Sequence, residues 1–317
     1  MTIRTFQSGD DLALVSIYNT AAAALPGYKP STVDEVRRRC SAADFDPSTR
    51  FLAVEKGRPL GYATFHANGR VSYPWCRQGC EHWAGPLFEA VLDAMRQRGH
   101  RRAFAAYPQA WSSIHEFFLG QGFQQTREMV NFLVDLMELP TPPGRPSPNI
   151  QPMLPEDIPA VWNLAPNLFR VGNLEELERA LLHNPYFSAN SALVLRSQAT
   201  GTPLAAGLIV SSEEYADPNT VNPHMPCFWL GAFGTEGMQV KRINGLFTFV
   251  AEPGRSLNLL GMELLSYSVI KLYDTDIGTL AAQVPSDVEH LQRFYQQFFR
   301  RQGSFPVFEK DLFAVHR

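Results

Sequence analysis

The sequence predicts an α+β protein in which one unit of mixed, mostly antiparallel sheet flanked by helices is used twice. Three observations predict it. Apolar strand-like runs alternate with amphipathic helical stretches. A tract from Leu139 to Asn149 carries five prolines in eleven residues near the middle of the chain. The sequences on its two sides also repeat one another at fixed offsets. The 317 residues suit two domains at roughly 150 residues each. The proline tract cannot form helix or central strand, so it reads as a semi-rigid linker. The expected division is therefore 1–138, a linker at 139–149, and 150–317.

The elements follow in order. Ile3-Arg-Thr-Phe and Ile150-Gln-Pro-Met, 147 residues apart, read as short strands; Asp10 and Asp157 then cap amphipathic helices. Phe51-Leu-Ala-Val with Pro59-Leu-Gly-Tyr-Ala-Thr-Phe65, and Ala192-Leu-Val-Leu with Pro203-Leu-Ala-Ala-Gly-Leu-Ile-Val210, read as hairpins. Farther along, an offset of 177 carries Ala84 onto Gly261, Pro108 onto Pro285 and Phe117-Phe118 onto Phe294-Tyr295 without a gap, across helix, strand and helix. The offset grows by 30, so the second copy holds an insertion, which falls mostly between Val210 and Arg242. Long loops on compact domains tend to carry function.

Composition narrows the function classes. Apolar residues make up 45% and charged residues 19%, enough for two proper cores. With 28 basic and 31 acidic residues the net charge is −3, which argues against coating nucleic acid or an anionic membrane. No apolar run reaches 18 residues and Met1-Thr-Ile-Arg4 lacks a signal-peptide layout, so a soluble, cytoplasmic protein is expected. Four cysteines are too few for a disulfide scaffold. Cys76-x3-Cys80-x-His82 lacks a second ligand pair, so no metal site is predicted.

The order of elements resembles the GNAT superfamily of acyl-CoA-dependent N-acetyltransferases in its tandem arrangement, across nearly the whole chain. In that family a strand is followed by a pyrophosphate loop, Q/R-x-x-G-x-G/A, that opens a helix. The matching segment here is Leu246-Phe-Thr-Phe-Val-Ala-Glu, Pro253-Gly-Arg, then Ser256-Leu-Asn-Leu-Leu-Gly261 and Met262. Gly261 keeps the last glycine, while Ser256 replaces Gln/Arg and Leu259 replaces the first glycine. The physics is that of an anion received by unpaired N–H groups at a helix N-terminus. The resemblance thus implies acetyl-CoA as co-substrate. Ser256, Asn258, Leu259, Leu260, Gly261 and Met262 would lie at its diphosphate, and the backbone of Phe249, Val250 and Ala251 at its pantetheine arm.

The same resemblance implies transfer of an acetyl group to an amine of a small molecule or peptide. The family's usual proton donor to the leaving thiolate is the Tyr of an "FY" pair, here Phe294-Tyr295. A phenol near pKa 10 can protonate a thiolate near 8.5. Tyr295 equally suits a core aromatic beside Phe298 and Phe299. In the first copy its counterpart is Phe118, and His82 and Trp83 crowd the loop, so the first copy reads as structural. The family's usual Glu base falls at Gly245, beside Asn244. Substitutes would be Glu213, Glu214, His224 or Glu236, or no base at all. The competing function is a GNAT-fold protein that binds acyl-CoA or another ligand without catalysis. No residue fixes the oligomeric state.

Overall fold

The computed structural model describes residues 2–28, 30–41, 45–67, 69–139, 147–165, 168–169, 171, 173–183, 188–211, 245–251, 257–273, 275 and 277–314. In the first repeat β1 (Thr2–Thr5), β2 (Arg50–Glu55), β3 (Arg58–Thr64) and β4 (Trp75–Cys76) form an antiparallel sheet in that order. Helices α1 (Asp11–Ala21) and α2 (Val33–Cys40) fill the β1–β2 connection. Helix α3 (Ala84–Gln97) leads from β4 to β5 (Arg102–Ala106), and α4 (Ser112–Gly120) follows. The β2–β3 hairpin turns on Lys56 and Gly57, with φ of 48° and 78°. Positive φ at both positions matches the twist of the flanking strands.

The second repeat has the same order: β7 (Ile150–Pro152), α5 (Ile158–Leu164), α6 (Leu174–Leu182), β8 (Ala192–Arg196), β9 (Pro203–Ser211), β10 (Gly245–Ala251), α7 (Leu257–Leu272), β11 (Thr279–Pro285) and α8 (Glu289–Phe298). Strands β7 to β10 are antiparallel neighbours, and β11 runs parallel to β10. The fold class is the α+β class that the patterning predicts. Most of the proline tract (140–146) and the insertion (212–244) lie outside the described residues.

The compact units divide at other places than the proline tract. One comprises Met1–Arg127 with Phe305–Arg317, the other Glu128–Ser304. Each takes a strand from beyond the opposite repeat. In the first unit β12 (Arg300–Asp311) supplies Val307–Asp311 to pair antiparallel with β5. In the second, β6 (Gln124–Asp135) supplies Met129–Asp135 to pair with all of β11. The exchange keeps register to the residue: Phe308 pairs with Ala105 and Phe132 with Ala282, so the 177 offset also relates the two β-pairs. Phe308 stacks on Phe118 and Phe132 on Tyr295, at 6.4 and 5.7 Å between ring centres. A strand left unpaired at this edge would expose a row of backbone groups.

Packing repeats as well. A Cβ on Gly61 would meet Leu87 Cδ1 of α3 at 3.1 Å, and one on Gly207 would meet Leu264 Cδ2 of α7 at 3.2 Å. Leu87 and Leu264 are again 177 apart. One sequence expectation needs correcting. Asp10 and Asp157 do not cap the helices ahead of them. Both take helical backbone angles (φ −72°, ψ −14° and φ −80°, ψ −22°), so their carboxylates reach back. Asp10 accepts the Gln7 N–H at 2.8 Å and two bonds from Arg4; Asp157 accepts the Leu154 N–H at 2.9 Å and Arg196 at 2.8 Å.

Burial pushes the Asp10 carboxyl up, but the Arg4 hydrogen bonds, the Gln7 N–H and the Arg4 charge outweigh it, and its pKa falls below the usual carboxylate value. Its contribution to stability is therefore complete above the unfolded value of about 3.9 and lost as pH falls through the lower folded one. Asp10→Asn should flatten the acid limb of a stability-versus-pH curve below about pH 4. A denaturant titration at each pH checks it, and an unchanged acid limb would refute it.

Candidate active site

In the second unit β10 is paired along its whole length with β9, Gly245 with Ser211 through to Ala251 with Ala205. On its far side β11 is likewise paired throughout with β6. Between them, β10 and β11 share one paired position among the described residues, Leu246 with Ala281, and then diverge. The edge of β10 that faces β11 has no strand partner beyond Leu246, along Phe249, Val250 and Ala251. The first unit repeats this opening. Arg70 pairs in parallel with Phe104, and 177 residues separate Phe104 from Ala281.

Tyr295 projects from α8 into the second core, fully buried, with Phe132, Phe247, Phe249, Phe294 and Phe299 around it. Its hydroxyl makes no hydrogen bond of ordinary geometry. Burial raises its pKa well above 10, against smaller opposing influences from the Thr248 side chain and the Phe249 backbone. Those two neighbours belong to β10 just past its pairing with β11, so the hydroxyl sits at the wall of the opening.

Helix α7 begins at Leu257. Asn258, Leu259, Leu260, Gly261 and Met262 are thus in its first two turns, and Ser256 lies outside the described residues. Leu259 is 73% exposed, an unusual setting for a leucine at a helix start. Gly261 faces the other way. A Cβ there would lie 2.5 Å from Phe249 Cζ and 2.7 Å from Phe294 Cε2. The glycine lets α7 press onto these rings, a packing reason for the residue that the loop motif does not supply. The first-turn N–H groups of α7 remain the donors that any anion would meet.

The family's base position is closed by packing. A Cβ on Gly245 would stand 2.7 Å from Leu280 Cδ2, 2.8 Å from Ile277 Cγ2 and 2.9 Å from the Thr279 carbonyl oxygen. Its counterpart Gly69 would place a Cβ 2.9 Å from the carbonyl oxygen of Arg102, 177 residues before Thr279. Glu213, Glu214, His224, Glu236 and Asn244 lie outside the described residues.

The first unit fills its own opening. The Tyr107 hydroxyl accepts the Tyr73 N–H at 2.5 Å, and its ring stacks on Trp111 and Phe118. In the loop before α3, the Gly79 N–H is bound by the Glu81 carboxylate at 3.0 Å, so an acidic group already takes a donor there. Cys76 is buried; burial foremost, then Cys80 and Glu81, pushes its thiol up to about 12. A thiol so reluctant to ionise is a poor ligand or nucleophile. No helix among the described residues is long and apolar enough to cross a membrane.

Doubled α+β units, each with a pair of parallel strands that part after one pairing, define a class: the GNAT acetyltransferase fold in tandem. Solved structures agree. A GCN5-related N-acetyltransferase from Sphaerobacter thermophilus matches with a TM-score of 0.60 over 99% of this chain and 96% of its own, at 14% identity. The tandem GNAT protein from the clavulanic acid biosynthesis pathway matches at 0.52 over 99% of both chains, at 10% identity. The glucosamine N-acetyltransferase region of a fungal multi-domain GH3 beta-N-acetylglucosaminidase matches at 0.64 over 98% of this chain and 38% of that longer one, at 11% identity. No family model and no curated protein matches the sequence.

Three groups escaped sequence reasoning: Tyr107, Glu81 and the buried polar residues Thr248, Gln283 and Asn131. The signal for Tyr107 was available, since the 177 offset sets it on Val284. Thr248, Gln283 and Asn131 stand out as polar residues within apolar strands. Gly261 gives a direct check of the geometry. Gly261→Ala should cost about 1–3 kcal/mol through overpacking against the two rings. Gly85→Ala in α3, where a Cβ meets nothing within 4 Å, should be neutral or gain up to about 1 kcal/mol. Equal melting points for the two variants would contradict this packing.

Proposed function

We infer that the chain is an acyl-CoA-dependent N-acyltransferase with one working site, in the second unit. The observation that carries this reading is the divergence of β10 from β11 after Leu246 and Ala281. It opens an unpaired strand edge near the start of α7. An extended amide chain satisfies such an edge as an added strand would, and the first turn of α7 suits a diphosphate. The bound co-substrate supplies an activated acyl thioester. The residues of the chain hold it along Phe249, Val250 and Ala251 and exclude water with the surrounding aromatic rings.

In the transfer, a C–N bond forms between the acceptor nitrogen and the acyl carbon while the C–S bond breaks. Tyr295 gives its proton to the departing sulfur and recovers one from the attacking nitrogen. Its high pKa does not forbid this. The same dry surroundings that raise the phenol also raise the thiolate, so the difference between them governs the transfer. The first unit, with Phe118 for Tyr295, Glu81 in its loop and Tyr107 in its opening, has a structural role in this reading. An acetyl group is the simplest acyl group for so enclosed a site.

Titrating CoA by calorimetry should give one site per chain, and CoA should raise the melting point by mass action. Leu259→Glu should leave folding intact, because the helix dipole favours an acid there. It should still weaken CoA binding about tenfold or more by like-charge repulsion at the diphosphate. Tyr295→Phe should lower turnover by about 10²–10⁴ with CoA affinity nearly unchanged. Two equivalent sites would overturn the one-site reading. CoA binding without acyl transfer to any amine would favour the non-catalytic alternative, for which the buried hydroxyl of Tyr295 already speaks.

A further inference from the structure

The opening between β10 and β11 has a second face. On β11, Leu280, Ala282 and Val284 belong to the core under α7 and α8; on β10, Phe247, Phe249 and Ala251 do; on β6, Val130, Phe132 and Val134 do. Strand alternation therefore sends Gln283, Thr248 and Asn131 to the opposite face. Counting two residues on from the Leu246–Ala281 pair sets Thr248 and Gln283 at matched positions on either side of the opening. Gln283 also pairs with Asn131 across β11 and β6. The result is a row of three polar side chains over three strands, only 3%, 2% and 2% exposed.

The row has an acceptor to spare. Gln283 Nε2 donates to Asn131 Oδ1 at 2.8 Å, which leaves the buried Gln283 Oε1 without a hydrogen-bond partner. Such an atom costs about 1–3 kcal/mol and is rare unless a ligand or water serves it. It stands across the opening from Thr248, whose side chain acts on the Tyr295 hydroxyl.

We propose that Thr248, Gln283 and Asn131 form the acceptor side of this cleft, and that they favour a nitrogen nucleophile that is already neutral, of the arylamine class, over an alkylammonium. The proposal rests on the acyltransferase reading above. Strands β9, β10 and β11 carry no titratable side chain. Strand β6 has Glu128 and Asp135 at its ends, the latter accepting the Met137 N–H. From α8, Glu289 pairs with Arg293 at the surface; from α7, Glu263 accepts Ser147 and Lys271 donates to the Asn190 carbonyl. Gly245 cannot become a carboxylate. Among the described residues, then, nothing at this face pairs with an ammonium or takes its proton, and a buried unpaired cation is costly. A neutral N–H suits Gln283 Oε1, which would turn the nitrogen lone pair away from itself and towards the acyl carbon.

An alkylamine with a lysine-like pKa of ~10.4 is neutral in roughly one part in 10³ at pH 7. Wild type with acetyl-CoA should thus favour aniline over benzylamine by at least about 100-fold in kcat/KM at pH 7. Gln283→Leu should lose about tenfold or more with aniline while CoA affinity by calorimetry stays within about twofold. Gln283→Glu, nearly isosteric, adds the missing carboxylate and should raise benzylamine relative to aniline by about tenfold. A purely structural Gln283 would scale both amines alike in both variants, and that result overturns the proposal. So does a wild type that prefers benzylamine, with the acyltransferase reading left standing. Failure to bind CoA or to acylate either amine overturns that reading as well.

Discussion

Backbone groups that leave a sheet must be met by something else, and the structure depends on how that requirement is handled where β10 parts from β11 and where Arg70–Val71 parts from β5. Each opening is framed by strands fully paired on their outer sides, so the divergence does not unravel into the rest of the sheet. In the first unit the answer is a side chain: Tyr107 caps the Tyr73 N–H. In the second, no strand takes the edge of β10 past Leu246, and a buried phenol stands beside it. One unit is closed by its own residues, and the other keeps an edge that an extended ligand would complete.

The exchanged strands hold both openings in shape. β5 and β11 would be exposed edges without β12 and β6, and each incoming strand brings a phenylalanine to the same place. Phe308 lies on Phe118, and Phe132 on Tyr295. A sequence reading naturally assigns terminal strands to the repeat that precedes them, which is why the proline tract looks like the boundary. Strand partners across hundreds of residues leave no local trace, because alternation is the same whichever neighbour a strand takes.

Much else was legible. The ungapped 177 offset carries real geometry: Phe104 and Ala281, Arg102 and Thr279, Leu87 and Leu264 occupy matching places in the structure. The α+β class and the tandem GNAT order followed from it. Reasons for single residues were harder to read. Gly261 looked like a loop glycine for a phosphate, yet its missing Cβ makes room for Phe249 and Phe294. Asp10 and Asp157 looked like helix caps, yet they tie the preceding turn to Arg4 and Arg196. In both cases the residue type was informative and its partner was set by tertiary packing that no local pattern encodes.

The two phenols explain why the copies diverged as they did. The parallel bridges relate Arg70 to Leu246, so three residues on Tyr73 corresponds to Phe249, the position whose backbone neighbours the Tyr295 hydroxyl. Each copy therefore brings one tyrosine hydroxyl to the same stretch of strand, but from different elements. Tyr107 comes from the end of β5, a strand pinned by β12, and its hydrogen bond is already made. Tyr295 comes from α8, packed by rings and without such a bond. A hydroxyl that has spent its hydrogen bond on the backbone closes a site. A buried hydroxyl still lacking one remains free to give its proton to something that enters. With Val284 at the Tyr107 position and Phe118 at the Tyr295 position, neither copy holds both phenols, so plugging and proton donation are divided between them.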